Sequence, residues 1–351
     1  METLKVLCSG DLHLFDREIG ATIGYADESS RNLKKLLNIY LNDDSDFMIL
    51  GGDIQHGIPD DIREMSKWRS LLIDMREEVY ERLKSKNLFD KIRVYDKDDN
   101  LLDIADGTVS CLFSVKGNHD YNRRTSRENS FTFFDDLVEA NIISVPYRIE
   151  YEGTEIHFYN SGEWNSPRSR KNGTDLVIGI YHDAILQPER INTFMGNGMI
   201  NPAKENFLAD VDLAVLNDIH MQIVPYKVNT MRDDGFAQET VLITHGSIGR
   251  TSFNESHKRD FALLTKLIIT NDNNVEYEQI QMDLLPYKNL FDYEKVIKVK
   301  KRENMFEQFS LEIEKVDTVK GDPRAEIEAM KIDEDVKRLC LEILNDVMND
   351  N

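Results

Sequence analysis

Cysteine is scarce in this chain: Cys8, Cys111 and Cys340 lie far apart with no CxxC spacing. That distribution excludes a disulfide framework and a thiolate zinc site, and a reducing cytoplasm, bacterial or that of a virus-infected cell, is the expected setting. No apolar run approaches the length of a membrane span, and the start of the chain, Met1 to Gly10, lacks a signal-peptide pattern. No membrane association is expected. Basic residues are also few, with 43 Lys and Arg against 64 Asp and Glu and a formal charge of -21, which argues against a protein that coats nucleic acid by bulk electrostatics. Internal repeats and low-complexity segments are absent as well.

The 351 residues suffice for about two domains. Short apolar runs read as buried strands at Leu4 to Ser9, Phe47 to Leu50, Val109 to Val115, Ile178 to Tyr181, Leu213 to Leu216 and Val241 to Thr244. Helical spacing of Leu33, Leu36, Leu37 and Tyr40 lies between the first two, and Asp136 to Ala140 reads as the end of another helix. This alternation predicts an α/β sheet sandwich. Residues 60–107, a charged helix around Ile62 to Lys86 followed by an Asp-rich turn from Tyr95 to Leu101, read as an insertion. Asn160 to Gly173 reads as a surface loop. A domain break is expected between Thr270 and Asn274, followed by strands at Val275 to Met282 and Val296 to Val299 and a helical tail from Arg324 to Met348.

The histidines are the informative residues, because most fall just past the end of an apolar run. Asp11-Leu12-His13, Gly52-Asp53, Gly117-Asn118-His119-Asp120, His182 and Asp218-Ile219-His220 each follow a strand. In an extended segment, alternation would put Asp11 and His13, and likewise Asp218 and His220, on one face. Any one such motif is more often a surface pair or a satisfied core group. Strand ends of an α/β sheet open on one crevice, however, and five loops there would supply carboxylate, amide and imidazole together. That mixture suits a first-row divalent metal, and a carboxylate shared by two ions would make a hydrolytic centre.

In this order the motifs resemble the calcineurin-like metallophosphoesterase superfamily. The resemblance implies a four-layered α/β sandwich, sheets flanked by helices. Two segments resemble the SbcD-type DNA repair nucleases within it: Gly52-Asp53-Ile54-Gln55-His56, and Gly246-Ser247-Ile248-Gly249-Arg250-Thr251-Ser252-Phe253. The likeness implies a domain over residues 1–270, a small α+β cap at about 275–320, and a tail at 321–351 that docks on a coiled-coil ATPase subunit like SbcC. Ile327, Met330, Val336, Leu339, Ile343, Leu344 and Val347 give that tail an apolar stripe, whose commoner fate is packing on its own domain.

By resemblance, one ion is held by Asp11, His13, Asp53 and His220 and a second by Asp53, Asn118, His182 and Asp218, with Asp53 bridging. His119 stabilises or protonates the leaving oxygen, Asp120 orients it, and His56 is a second, nuclease-type catalytic histidine or a hydrogen-bond partner of a ligand. Two departures stand out: Asn217-Asp218-Ile219-His220 replaces the usual Gly-His-x-His, and Gly249 occurs where a larger residue is common. The carboxylate of Asp218 would harden the second site towards manganese or magnesium, with iron and zinc as alternatives, or it would leave that site weak. His157, His245 and His257 take structural readings. Basic residues near these motifs are the expected DNA contacts: Arg123, Arg124 and Arg127; Arg168, Arg170 and Lys171; and Arg250, Lys258 and Arg259. The implied activity is DNA phosphodiester hydrolysis at DNA ends, in a homodimer, with weak DNA affinity in isolation. A phosphatase on a non-DNA substrate and a catalytically weak scaffold for the ATPase are the rivals.

Overall fold

The computed structural model describes residues 3–121 apart from 20 and 58, then 132–165, 175–185, 200–202, 208, 210–231, 237–251, 259–272, 274–297, and 324, 327, 328, 337, 338 and 341. Contacts divide the chain into two units, Met1–Leu290 and Phe291–Asn351.

The first unit holds two sheets. One contains β1 (Thr3–Cys8), β2 (Phe47–Leu50), β5 (Phe113–Ser114), β12 (Phe261–Thr270) and β13 (Val275–Asp283), in the order β13-β12-β1-β2-β5. The other contains β3 (Ile92–Tyr95), β4 (Leu101–Leu102), β6 (Arg148–Tyr151), β7 (Thr154–Tyr159), β8 (Leu176–His182), β9 (Leu213–Asn217), β10 (Ile223–Met231) and β11 (Ala237–Thr244), in the order β10-β11-β9-β8-β7-β6-β3-β4. Strands β1, β2 and β5 run parallel, as do β7, β8, β9 and β11. Every residue of β8 and β9 is buried, because both faces of the second sheet are covered. Alternation divides their side chains: Ile178, Ile180, Leu213 and Val215 join the core shared with the first sheet, whereas Val177, Tyr181, Ala214 and Leu216 join a separate cluster on the outer face. The sandwich expected from the sequence is therefore present.

Helices α1 (Tyr25–Asn42) and α2 (Ile62–Ser85) cover the five-stranded sheet. Asp61 caps α2 by accepting the Arg63 N–H at 2.9 Å, and Trp68, Leu72, Met75, Val79 and Leu83 line its buried stripe at helical spacing. All five are inaccessible members of the main core. The segment read as an insertion is thus part of the fold, since β3 and β4 also extend the second sheet beyond β6. A short helix α3 (Phe133–Glu139) is capped reciprocally by Thr132 and Asp135.

Two further expectations are corrected. Strands β12 and β13 form a hairpin across this point, with Thr270 N–H bonded to Asn274 O at 3.0 Å, and β13 belongs to the first sheet. The chain divides instead after the short helix α4 (Tyr287–Leu290). Val296, expected in a strand, lies in a helical turn through Tyr293 to Ile297, with its N–H on Asp292 O at 2.8 Å. The described residues of the tail, Arg324, Ile327, Glu328, Lys337, Arg338 and Leu341, are helical. Among the described residues no helix is long and apolar enough to cross a membrane.

If α2 is integral to the core, Leu72→Ala should cost about 2–5 kcal/mol of unfolding free energy in a denaturant titration. A loss below about 1 kcal/mol would mark the helix as peripheral.

Candidate metal centre

The ends of the parallel strands converge. Past β1 and β2 the chain continues to pair, with His13 N–H on Asp53 O at 2.7 Å, Leu14 N–H on Ile54 O at 2.8 Å and His56 N–H on Leu14 O at 3.0 Å. The alternation expected of Asp-x-His does not produce the cluster, however. His13, Asp53 and Asp218 have φ of 47°, 41° and 74°, in the left-handed region that non-glycine residues rarely occupy. Each turns its side chain inward by a backbone twist at the strand end.

Those twists bring most of the expected ligands together. Asp11, His13 and His220 offer atoms within 4.8 Å of one another, as do Asp11, Asp53 and His182. His13 Nε2 and His220 Nε2 are 2.9 Å apart, and His220 Nε2 is 3.5 Å from Asp11 Oδ2. Two ligand atoms at right angles, each about 2.1 Å from one ion, lie about 3 Å apart. Asp53 faces both ways: Oδ2 is 3.8 Å from His13 Nε2, and Oδ1 is 3.4 Å from His182 Nε2. Asp218 Oδ1 lies 3.8 Å from His182 Nε2 and meets the Asn118 amide at 2.5 Å. Asp218 thus stands beside His182 and Asn118 on the second side of Asp53. The Nδ1–H of His182 donates to Gly51 O at 2.6 Å, so Nε2 is the nitrogen that faces Asp53 and would face an ion.

The donor atoms are left in the state a cation would complete. Asp11 Oδ2, Asp53 Oδ2 and His182 Nε2 are buried without a hydrogen bond. Burial pushes the Asp11 carboxyl up to about 8, helped by the neighbouring Asp53 and Asp218 charges. It also raises Asp218 and lowers His220 to about 4. Burial acts on Asp53 too, but the His182 charge and the His119 N–H, 2.7 Å from Oδ1, outweigh it and hold Asp53 below the usual carboxylate range. His182 is likewise raised against its burial by Asp53 and Asp11. Oxygen and imidazole donors in this mixture fit divalent manganese, iron or zinc.

Beside the cluster, His56 and His119 stack at 4.8 Å with a 21° tilt, and His56 Nδ1 is 3.3 Å from His13 Nδ1. His119 Nδ1–H donates to the His56 carbonyl at 3.0 Å, which leaves its Nε2 for chemistry. Asp120 does not orient His119. It is fully buried and accepts the Gly117 N–H at 2.9 Å and the Gln55 N–H at 3.3 Å, so it holds the loop's backbone. Gly117 has to be glycine, since a Cβ there would meet Asp53 Oδ1 at 2.2 Å.

Arg250, expected at DNA, is inside the protein. It is inaccessible, pairs with Glu28 of α1, and donates to Arg259 O at 2.6 Å. Arg259, expected at DNA with it, is also buried and reaches His220 O at 2.6 Å, a setting that sequence reasoning mistakes for surface because charged residues are normally exposed. Gly249 is explained by space: a Cβ would sit 2.6 Å from His13 Cβ, so no larger residue fits there. Asn217, at the other departure, donates to Tyr181 O at 2.9 Å and joins His245 at 3.1 Å. His245 is buried between Asn217 and Thr265, and His157 pairs with Glu155, both in structural settings. Arg123, Arg124, Arg127, Arg168, Arg170, Lys171, His257 and Lys258 lie outside the described residues.

Ion binding should show in stability. Asp11 and His182 hold their protons more firmly folded than unfolded, so each contributes stability at low pH that is lost as pH rises through its folded pKa. His220 has its pKa lowered to about 4, so its contribution is complete above 6.5. Metal-free protein should therefore lose stability from pH 6.5 to about 8, by at most about 1.4 kcal/mol per unit for each group. Saturating Mn2+ should raise the melting temperature and abolish that decline. Melting curves that ignore Mn2+ at every pH would rule out the centre.

The sequence profile of the calcineurin-like phosphoesterases matches residues 4–265. No curated protein matches the chain. Among solved structures it is similar to a 5'-nucleotidase precursor from Thermus thermophilus, at 9% identity and a TM-score of 0.35, over 86% of this chain and 58% of that one. This chain thus spans little more than half the length of that protein. With the profile covering most of the sequence and the ligand-bearing loops gathered at the parallel strand ends, the chain belongs to the calcineurin-like phosphoesterase family, whose members are metal-dependent hydrolases of phosphoesters.

Proposed function

We propose that the protein is an SbcD-like, manganese-dependent DNA nuclease that processes DNA ends in repair or recombination, in the cytoplasm, as a homodimer with an SbcC-like coiled-coil ATPase. The observation that carries this reading is the stacked pair His56 and His119 beside His13. Hydrolysis of a DNA phosphodiester expels a sugar oxygen of high pKa, so its departure needs a proton at the right place. His119 is held for that task, with Nδ1–H committed to the His56 carbonyl and its backbone N–H to Asp53. His56 supports the ring by stacking and is itself placed by the Leu14 carbonyl. When bound by Asp11, His13, Asp53, Asn118, His182, Asp218 and His220, two divalent ions would neutralise the phosphate oxygens and acidify the attacking water.

The Gly-Ser-Ile segment supports the same reading from behind. Ile248 and Gly249 N–H both donate to Asp11 O, at 2.8 and 3.2 Å, so the segment fixes a ligand loop. A phosphatase or phosphodiesterase on a non-DNA substrate is the second reading, favoured by the burial of Arg250, which removes one cation from the expected DNA surface.

Purified protein with Mn2+ should cleave linear double-stranded DNA and bis-p-nitrophenyl phosphate in preference to p-nitrophenyl phosphate. His119→Ala should lower the rate on DNA by about 10²–10⁴-fold and slow bis-p-nitrophenyl phosphate far less, because its phenolate leaves without needing a proton. Intact DNA with and without the ATPase, together with preferred cleavage of the monoester, would decide for the second reading.

A further inference from the structure

We propose that Arg259 is a positioning residue of the metal centre, whose guanidinium fork locks the His220 loop to the Gly-Ser-Ile loop and so fixes the first ion's ligands. The side chain is buried behind the site. Its Nη1 donates to the His220 carbonyl at 2.6 Å, and its Nη2 donates to the Ser247 carbonyl and lies 3.3 Å from Ser247 Oγ. Ser247 Oγ in turn donates to Gly249 O at 2.7 Å, and Gly249 and Ile248 carry the Asp11 carbonyl. One planar group therefore ties together the loops that bear Asp11, His13 and His220, the three residues of one candidate ligand set.

The fork is itself held. The Arg259 carbonyl accepts from Arg250, and Arg250 pairs with Glu28 on the buried face of α1. The charges of Asp11 and Glu28 both act on the Arg259 guanidinium, so a positive group stands behind the acidic centre. A lysine could replace the charge but not the fixed planar fork whose two separate nitrogens reach the two carbonyls, because its donors all sit on one nitrogen. The inference rests on the metal centre and is independent of DNA as the substrate.

Calorimetric titration of Mn2+ into the metal-free full chain tests it. Removal of partners that orient ligands typically weakens metal binding about 10–100-fold. Arg259→Ala should show that loss at one of the two ions and leave the other unchanged, and added guanidinium should restore part of it. Arg259→Lys should fail to restore it, and should also raise the Mn2+ needed for half-maximal hydrolysis while kcat at saturating Mn2+ stays near wild type. Should Arg259→Ala not fold, the lysine variant carries the test alone. Wild-type affinity for both ions in either variant would overturn the proposal, as would equal loss at both sites with no guanidinium rescue.

Discussion

Carboxylates gathered at one buried point form the constraint on which the rest of the molecule depends. Asp11 and Asp53 are buried, with Asp218 mostly so, at the point where parallel strands of both sheets end. Coulomb repulsion between such groups is large in a low-dielectric interior, and no amount of apolar packing reduces it. The folded chain meets that cost partly with His182, held between Asp53 and Asp11, and with N–H groups such as that of His119. The remainder falls to bound cations, which is why unsatisfied ligand atoms and displaced pKa values coincide at one place.

Supporting structure follows from that constraint. Left-handed backbone at His13, Asp53 and Asp218 is unfavourable locally and persists because neighbouring loops over-determine it. Gly117 and Gly249 permit the close approaches that this requires, one against Asp53 and the other against His13. Behind the ligands, Glu28, Arg250 and Arg259 form a second layer of charge that links α1 to the loops. The same buried arginines that strengthen the centre are thereby removed from the surface, so any contact with a polyanionic substrate falls to other parts of the chain.

Much of the site is legible without the fold, and for a simple reason. Ligand chemistry restricts residue type, and a sheet's geometry restricts where along the chain those types occur, so Asp, Asn and His after successive apolar runs stand out. The apolar runs themselves mark β1, β2, β8, β9 and the inner half of β11. Residues 60–107 read differently because their charge hides the buried stripe of α2, where Trp68 to Leu83 recur at helical spacing among Lys, Arg and Glu. Asn271–Asn274 resembles a linker because hairpin turns and linkers share polar residues, and only the pairing of β12 with β13 separates them.

Asp120 and Arg250 show where sequence inference ends. Adjacency places Asp120 next to His119, but the helical turn through Asn118–Asp120 directs its carboxylate onto backbone N–H groups. Charge places Arg250 at the surface, whereas a carboxylate from Glu28, far away in sequence, makes its burial tolerable. The sequence by itself determined the class of chemistry, because the inventory of ligand types and their order at strand ends survive without coordinates. Only the tertiary structure decided which neighbours hold those ligands, since hydrogen bonds and ion pairs between distant loops depend on distances that no local pattern encodes.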